Sequence, residues 1–407
     1  MRAPLEAAFF GGNRNRLRSL FQGTAPIVIT ASAQVQKGID ETFFRQDGNF
    51  FYLTGLLDPE LVLVIDKEKE YLILPERSQY LEDFHGASDT ERYTNTSGIA
   101  TIYDAKTGWK KLGSRLKKVK HVATLATPPE YIEVYGFYAN PARANLVKRM
   151  KTHNEALELL DLRQHFAVMR MVKQPVELEA IQSAIRATEK TLTKVKRKLA
   201  KYTHEYQIEA DITHSFRWEG TEGHAFSPIV GGGRNGAIIH HNQNNDPLDP
   251  KGLVVLDVGA QVNGYAADIT RTYSLSGSPT KRQRQVHQAV KEVQDYAFSL
   301  LKPGATIRAN EKLIEQFMGE KLRSLGLIKN VEHDEIRTYY PHSTSHHLGI
   351  DVHDLGDYER PLEPGMVLTV EPGIYILEES LGVRIEDDVL ITATGAQMLT
   401  SKLSADL

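Results

Sequence analysis

A chain of 407 residues with 41% hydrophobic and 25% charged side chains has the composition of a soluble globular protein and exceeds one ordinary core, so two domains are expected. A formal net charge of -3 leaves no basic excess to hold a phosphate backbone, which argues against nucleic acid as the main partner. The sequence contains no cysteine, which excludes disulfides, thiolate metal ligands and a cysteine nucleophile, so any metal must be held by His, Asp and Glu.

The first residues, MRAPLEAAFFGGNRNRLRSLF, carry only a short apolar cluster before turning polar and Arg-rich, a poor secretory signal. No apolar run is long enough to span a bilayer, so no membrane partner is expected and a cytoplasmic location is the default. PIVITA (26–31) reads as a strand, and LVLVID (61–66) and YLILPE (71–76), joined by KEKE, read as a hairpin. The lysine-rich runs 110–121 and 194–202 read as solvated faces.

The texture changes near residue 165, which divides the chain into an N-terminal α/β domain, 1–165, and a larger α+β domain, 166–407. From Gln174-Pro175 a helix is expected, with Leu178, Ile181, Ile185, Leu192, Val195 and Leu199 on one face and Pro175 in its first turn. A second helix is expected over Glu205–Trp218 and a third over Lys281–Leu301, stopped by KPGA. Between and after them lie short β-rich runs that follow one another mostly as hairpins.

GGGRNG (231–236) satisfies the dinucleotide fingerprint, but AIIHHNQNNDPLDP behind it reads as strand and loop where a phosphate-binding helix is required, so the motif is taken as a turn. His342 and His346 have zincin spacing, yet Ser343 stands where the glutamate is needed.

LDVGAQVNGYAADITRTY (256–273) is the most informative stretch. Asn263-Gly264 suits a type I′ turn, which sets Val262 opposite Tyr265, Gln261 opposite Ala266, Gly259 opposite Asp268 and Asp257 opposite Thr270. Alternation then puts Asp257 and Asp268 on one face as diagonal neighbours. Two readings stay open on the hairpin alone: both carboxylates grip something between the strands, or both lie on a solvated sheet face shared with Gln261 and Thr270. Further on, Glu371 ends an apolar strand before Pro-Gly and Glu386 sits within one, costly places for carboxylates unless paired or metal-bound. Were these four carboxylates to converge with one histidine, each pair about 4 Å apart would repel by roughly 4 kcal/mol, and such a set needs cations. Its oxygen-rich chemistry suits two Mn²⁺-like ions better than a structural zinc.

The ordered motifs D-x-G, G-Y-x-x-D-x-T-R-T, S-H-x-x-G-x-x-x-H-D, T-V-E-P-G and R-I-E-D-D resemble those of the pita-bread metallopeptidases, among them aminopeptidase P, Xaa-Pro dipeptidase and methionine aminopeptidase. QDGNFFYLTGLLDPE (46–60), FHGAS (84–88) and RMVKQPVELEAI (170–181) resemble aminopeptidase P in particular. The resemblance implies a pita-bread catalytic domain and a dinuclear-metal exopeptidase that hydrolyses N-terminal Xaa-Pro bonds by attack of a metal-bridging hydroxide. It implies Asp257 on the first metal, Asp268 and Glu386 bridging both, and His346 with Glu371 completing the second. It also implies Glu371 as general base, His353 near the scissile carbonyl oxygen, His240 near the leaving nitrogen, and His342, Arg384 and Phe226 along the pocket. The expected cofactors are two divalent ions, Mn²⁺ first with Co²⁺ or Zn²⁺ as alternatives. The expected substrates are peptides with proline second, and the expected assembly is a homo-oligomer, dimer or tetramer. Phe226 departs from a frequent tyrosine, and His347 beside His346, like His241 beside His240, leaves a one-residue ambiguity settled only by spacing. The competing readings are an Xaa-Pro dipeptidase and a non-catalytic peptide-binding relative.

Overall fold

The computed structural model describes residues 5–38, 40–67, 69–126 and 139–407. The chain divides into two units, Arg2–Met169 and Arg170–Leu407, with the division inside the helix Arg163–Met171.

The first unit is built on a six-stranded sheet, in the spatial order Ile102–Tyr103, Lys69–Ile73, Val62–Asp66, Ile27–Thr30, His121–Thr124 and Glu158–Asp161. Val62–Asp66 pairs antiparallel with both neighbours, and its hairpin with Lys69–Ile73 is the one read from the sequence. The other pairings of the sheet are parallel. Helices Ala105–Leu116 and Ala142–His153 bury Trp109, Leu112, Leu116, Leu146 and Met150 against Val28, Val64 and Ile73 of this sheet.

The second unit mixes long helices with short antiparallel sheets. Helix Pro175–Lys196 starts as expected, with Pro175 at its first position and a reciprocal cap between Gln174 and Glu177. Glu205–Trp218 and Lys281–Leu300 follow, and a further helix, Ile307–Ser324, packs against the latter through Ile314, Met318 and Leu322. GGGRNG is a strand end, Ile229–Gly232, running into a 3-10 turn, Gly233–Ala237. The strand expected directly after it does not form, and Ile238–His240 continue as turn.

The predicted hairpin has the predicted register: Val262 faces Tyr265, Gln261 faces Ala266 and Asp257 faces Thr270. Asn263 and Gly264 have φ of 51° and 77°, the pair of positive values that a type I′ turn requires. The hairpin is shared between two sheets. Its outer part, Leu253–Val258 with Ile269–Ser274, joins Ile229–Gly232, and its tip, Ala260–Val262 with Tyr265–Ala266, joins Gly223–His224. Gly259 lies at the change of sheet. A Cβ there would sit 1.7 Å from the Ala267 carbonyl oxygen and 2.9 Å from the Phe226 ring, so the missing side chain makes room for backbone and an aromatic wall.

Val367–Val370, Asp387–Ile391 and Ala396–Met398 form another antiparallel sheet, and Gly373–Ile376 pairs with Leu381–Arg384. Glu386 therefore stands at the junction of two strands and not within one.

Candidate metal centre

Main-chain pairing brings the five predicted ligand positions together. The Glu386 N–H donates to the Thr270 carbonyl, setting Glu386 beside the strand that follows Asp268. On the other side, Thr369 N–H donates to the His346 carbonyl and Glu371 N–H to the Thr344 carbonyl, so the His346 segment is bridged onto the strand that ends at Glu371. Ala266 N–H donates to the Gly349 carbonyl, joining the two halves.

The resulting cluster is buried. Asp257 is 8% exposed, Asp268 5%, His346 7% and Glu386 1%. Both faces of the outer hairpin strands are buried, which removes the solvated-sheet reading of the two aspartates. Ligand atoms of Asp268, His346 and Glu386 all lie within 4.8 Å of one another. His346 Nε2 is 3.5 Å from Asp268 Oδ2 and 3.3 Å from Glu371 Oε1. His346 Nδ1 is 3.0 Å from the His347 carbonyl oxygen, a contact that fixes a proton on Nδ1 and aims Nε2 at the carboxylates.

The set is not balanced by its own charges. Burial above all, then Asp257 and Glu371 against the pull of His346, pushes Asp268 up to about 7. Burial, then Asp268, Glu371 and Asp257, raise Glu386 well above the usual range. Burial works against ionised Glu371 too, but His346, His342 and Arg384 more than offset it and hold Glu371 down to about 2. His346 is raised well above an ordinary histidine because Asp268 and Glu371 outweigh its burial. Without a cation, protons take its place on this cluster. Among the described residues Asp257 Oδ1 is buried with no hydrogen-bond partner, an acceptor open to a cation. Oxygen donors with one imidazole Nε2 and no sulfur suit hard divalent ions.

Arg384, expected along the pocket, is 2% exposed. Its guanidinium donates to Asp257 Oδ2 at 2.6 Å, to Thr270 Oγ1 at 3.1 Å and to the Tyr375 hydroxyl at 2.9 Å. It thereby holds one oxygen of Asp257 and leaves the other free. Tyr375 passes its own proton toward His342 Nε2 at 2.7 Å, while His342 Nδ1 lies 2.9 Å from the Ser343 carbonyl oxygen. Thr270 donates to Glu386 Oε2 at 2.7 Å. Asp388, fully buried, accepts from the Asp268 N–H through Oδ2 at 3.2 Å. Sequence reasoning missed these supporting roles. Thr270 was findable, since alternation puts it on the face of Asp257; Tyr375 gives no signal of its own.

His353 lies edge-on to His346, with ring centroids 4.4 Å apart. Crowding by protein, then the charge of His346, depresses it to about 4, so its ring is neutral at pH 7. His347 points elsewhere, packed on Tyr358 and beside Gly356, and burial drops it to about 3. His240 is solvent-exposed, whereas His241 faces the carboxylate of Glu205 at 3.0 Å. Phe226 is half-buried beside Gly259. Among the described residues no helix is long and apolar enough to cross a membrane.

Comparison with known proteins agrees with this geometry. Residues 179–393 match metallopeptidase family M24, and residues 10–123 match the aminopeptidase P N-terminal domain. The Xaa-Pro aminopeptidase of Haemophilus influenzae is 32% identical, with 100% of this chain and 96% of the relative covered. Among solved structures, aminopeptidase P from E. coli in its low-pH form superposes with a TM-score of 0.87 at 29% identity, covering 99% of this chain and 97% of that one. Zn-substituted E. coli aminopeptidase P in complex with product gives 0.85 at 29% identity over 99% and 97% of the two chains.

Proposed function

Given that this chain belongs to metallopeptidase family M24, carries the aminopeptidase P N-terminal domain and is a metallo-aminopeptidase, we propose that it removes the first residue of peptides with proline second, using two divalent ions. The observation that carries this reading is the charge-unbalanced cluster of buried Asp257, Asp268, His346 and Glu386 with half-buried Glu371, in which Asp257 Oδ1 has no partner among the described residues. Asp257 and Asp268 would hold one ion, His346 and Glu371 the other, with Asp268 and Glu386 shared. Bound divalent ions supply Lewis acidity and an activated water near neutral pH.

The side chains supply the rest. Glu371, at the half-buried edge of the cluster, is assigned to take a proton from the attacking water. Neutral His353 donates a hydrogen bond toward the developing oxyanion without a charge that would bind the ground state equally well. His240, on the exposed turn, is assigned to the leaving nitrogen, which must be protonated before it departs. His342, held by Tyr375, and Phe226 wall the site around the imide, whose proline lacks an N–H and has a fixed φ. Arg384 acts on substrate only indirectly, by orienting Asp257. Mn²⁺ is the proposed physiological metal, with Co²⁺ or Zn²⁺ as alternatives, and a homo-oligomer working in the cytoplasm is the proposed state.

A peptide panel tests the reading. With Mn²⁺ added after chelation, Xaa-Pro-Yaa tripeptides are cleaved to Xaa and Pro-Yaa and the matching Xaa-Ala-Yaa peptides are not. Cleavage confined to Xaa-Pro dipeptides would replace the reading with a dipeptidase, and an inert protein that takes up no metal would replace it with a binding protein.

A further inference from the structure

We propose that Glu205 is a positioning residue that locks the 232–246 segment, and through His241 sets the place of His240; the inference rests on the role given to His240 above. Glu205 opens helix Glu205–Trp218 and is fully buried. Its Oε1 accepts from the Gly232 N–H and from Asn235 Nδ2, both at 2.9 Å. Its Oε2 accepts from the Asp246 N–H at 3.0 Å and faces His241 Nε2 at 3.0 Å. One carboxylate thus gathers four nitrogens from the start, the middle and the end of a single segment. A buried carboxylate is costly unless its lone pairs are filled, so this set is stable only when the segment is folded onto it.

The other side of the segment is closed by backbone. A Cβ on Gly382 would lie 1.8 Å from the Gly236 carbonyl oxygen, and one on Gly231 would lie 2.8 Å from the Asn235 carbonyl oxygen. The GGGRNG run therefore serves close approach to the strand Leu381–Arg384, which carries Arg384. Glu205 N–H also donates to the Asp246 carbonyl, and Leu248 N–H to that of Thr203, fastening the far end to the helix start. His240 follows directly on Ile239 at the crown of this segment and lies within electrostatic reach of His353. His240 is solvent-exposed while the ring of the next residue, His241, is tied to Glu205, so the anchor fixes the backbone from which His240 projects.

Glutamine cannot substitute. It offers one accepting oxygen and turns an NH₂ toward donors that need an acceptor. The test is a cycle of Glu205→Gln, His240→Ala and the double variant in the full-length protein with Mn²⁺, reading kcat and KM on an Xaa-Pro-Yaa peptide together with bound Mn²⁺. Glu205→Gln is expected to lower kcat by up to about 10²-fold, the scale of an ångström misplacement, with Mn²⁺ content unchanged. The double variant should be no slower than His240→Ala. Full kcat in Glu205→Gln, or losses that multiply, would overturn the proposal. If His240→Ala alone kept full activity, the proposal would fall with the role of His240, and that arm would identify the cause. Should Glu205→Gln not fold, His241→Phe, which leaves three donors on the carboxylate, runs the same cycle with the same expected non-additivity.

Discussion

The second unit holds two largely buried charge clusters that share a loop and differ in balance. In one, Arg170 and Lys173 close on Asp354, and Arg170 reaches Asp351 as well. Burial disfavours ionised Asp354, but the two cations outweigh it and hold its carboxyl below the usual range. In the other, Asp257, Asp268, Glu371 and Glu386 have Arg384 and His346 for company, and two of the four are pushed far up the pH scale. The first set is complete as it stands and fixes the loop, since the Asp354 N–H also donates to the His347 carbonyl that orients His346. The second is complete only with cations. Charge balance, more than burial or residue type, separates a structural ionic cluster from a metal site.

The contrast is broken most severely at Asp268. Asp268→Ala is expected to lose at least about 10³-fold in kcat/KM, roughly 4 kcal/mol, together with bound metal measured by elemental analysis, while the protein stays folded. Retained activity would remove the shared-ligand role. The opposite pattern is expected at the balanced cluster: Arg170→Met leaves Asp354 short of a buried partner and should cost about 3–5 kcal/mol in urea unfolding. A stable variant with lost metal would reverse the comparison.

A finer contrast comes from the supporting residues. Thr270→Val removes the 2.7 Å hydrogen bond to Glu386 without changing shape, and metal affinity is expected to fall about 10- to 100-fold by titration against a chelator. An unchanged affinity would show that Glu386 needs no second partner.

The smallest effect is in pH. Asp268 is raised from 3.8 to about 7, and Glu386 and Asp388 are raised as well, so in the metal-free native state these three carboxyls hold more protons than they do in the unfolded chain across that window. Their contribution to stability should therefore fall as pH rises from about 4 to 7, and the gain in Tm on adding Mn²⁺ should be larger at pH 7.5 than at pH 5. A gain independent of pH would contradict the charge imbalance.

What the sequence revealed follows from the range of the interactions. Helix starts such as Gln174-Pro175, the hairpin register and the strand before Glu371 depend on neighbours a few residues away, and all were legible. The candidate ligand positions stood out as ordered motifs, though nothing local required them to converge. The bond from Arg384 to Asp257 was not legible because the two residues are 127 apart in the chain, beyond any periodicity. The need for glycine at 259 was not legible, because its closest would-be neighbour is a backbone carbonyl that meets it only once the strands pair. The helix Ile307–Ser324 carries a readable apolar face and went unnamed because no chemistry drew notice to it.

The Asn263-Gly264 turn, tied by its Gly264 N–H to Glu222, has a consequence for how this protein can vary. Surface turns are ordinarily where chains absorb insertions and deletions. Here Asp257 and Asp268 lie on opposite arms of the hairpin, so one extra residue at its tip would slip the register and send Asp268 to the far face while Asp257 stayed in place. The spacing of the two carboxylates is thus written in the length of a two-residue loop, and an insertion there would leave all five candidate ligands in the sequence and no centre for them to form.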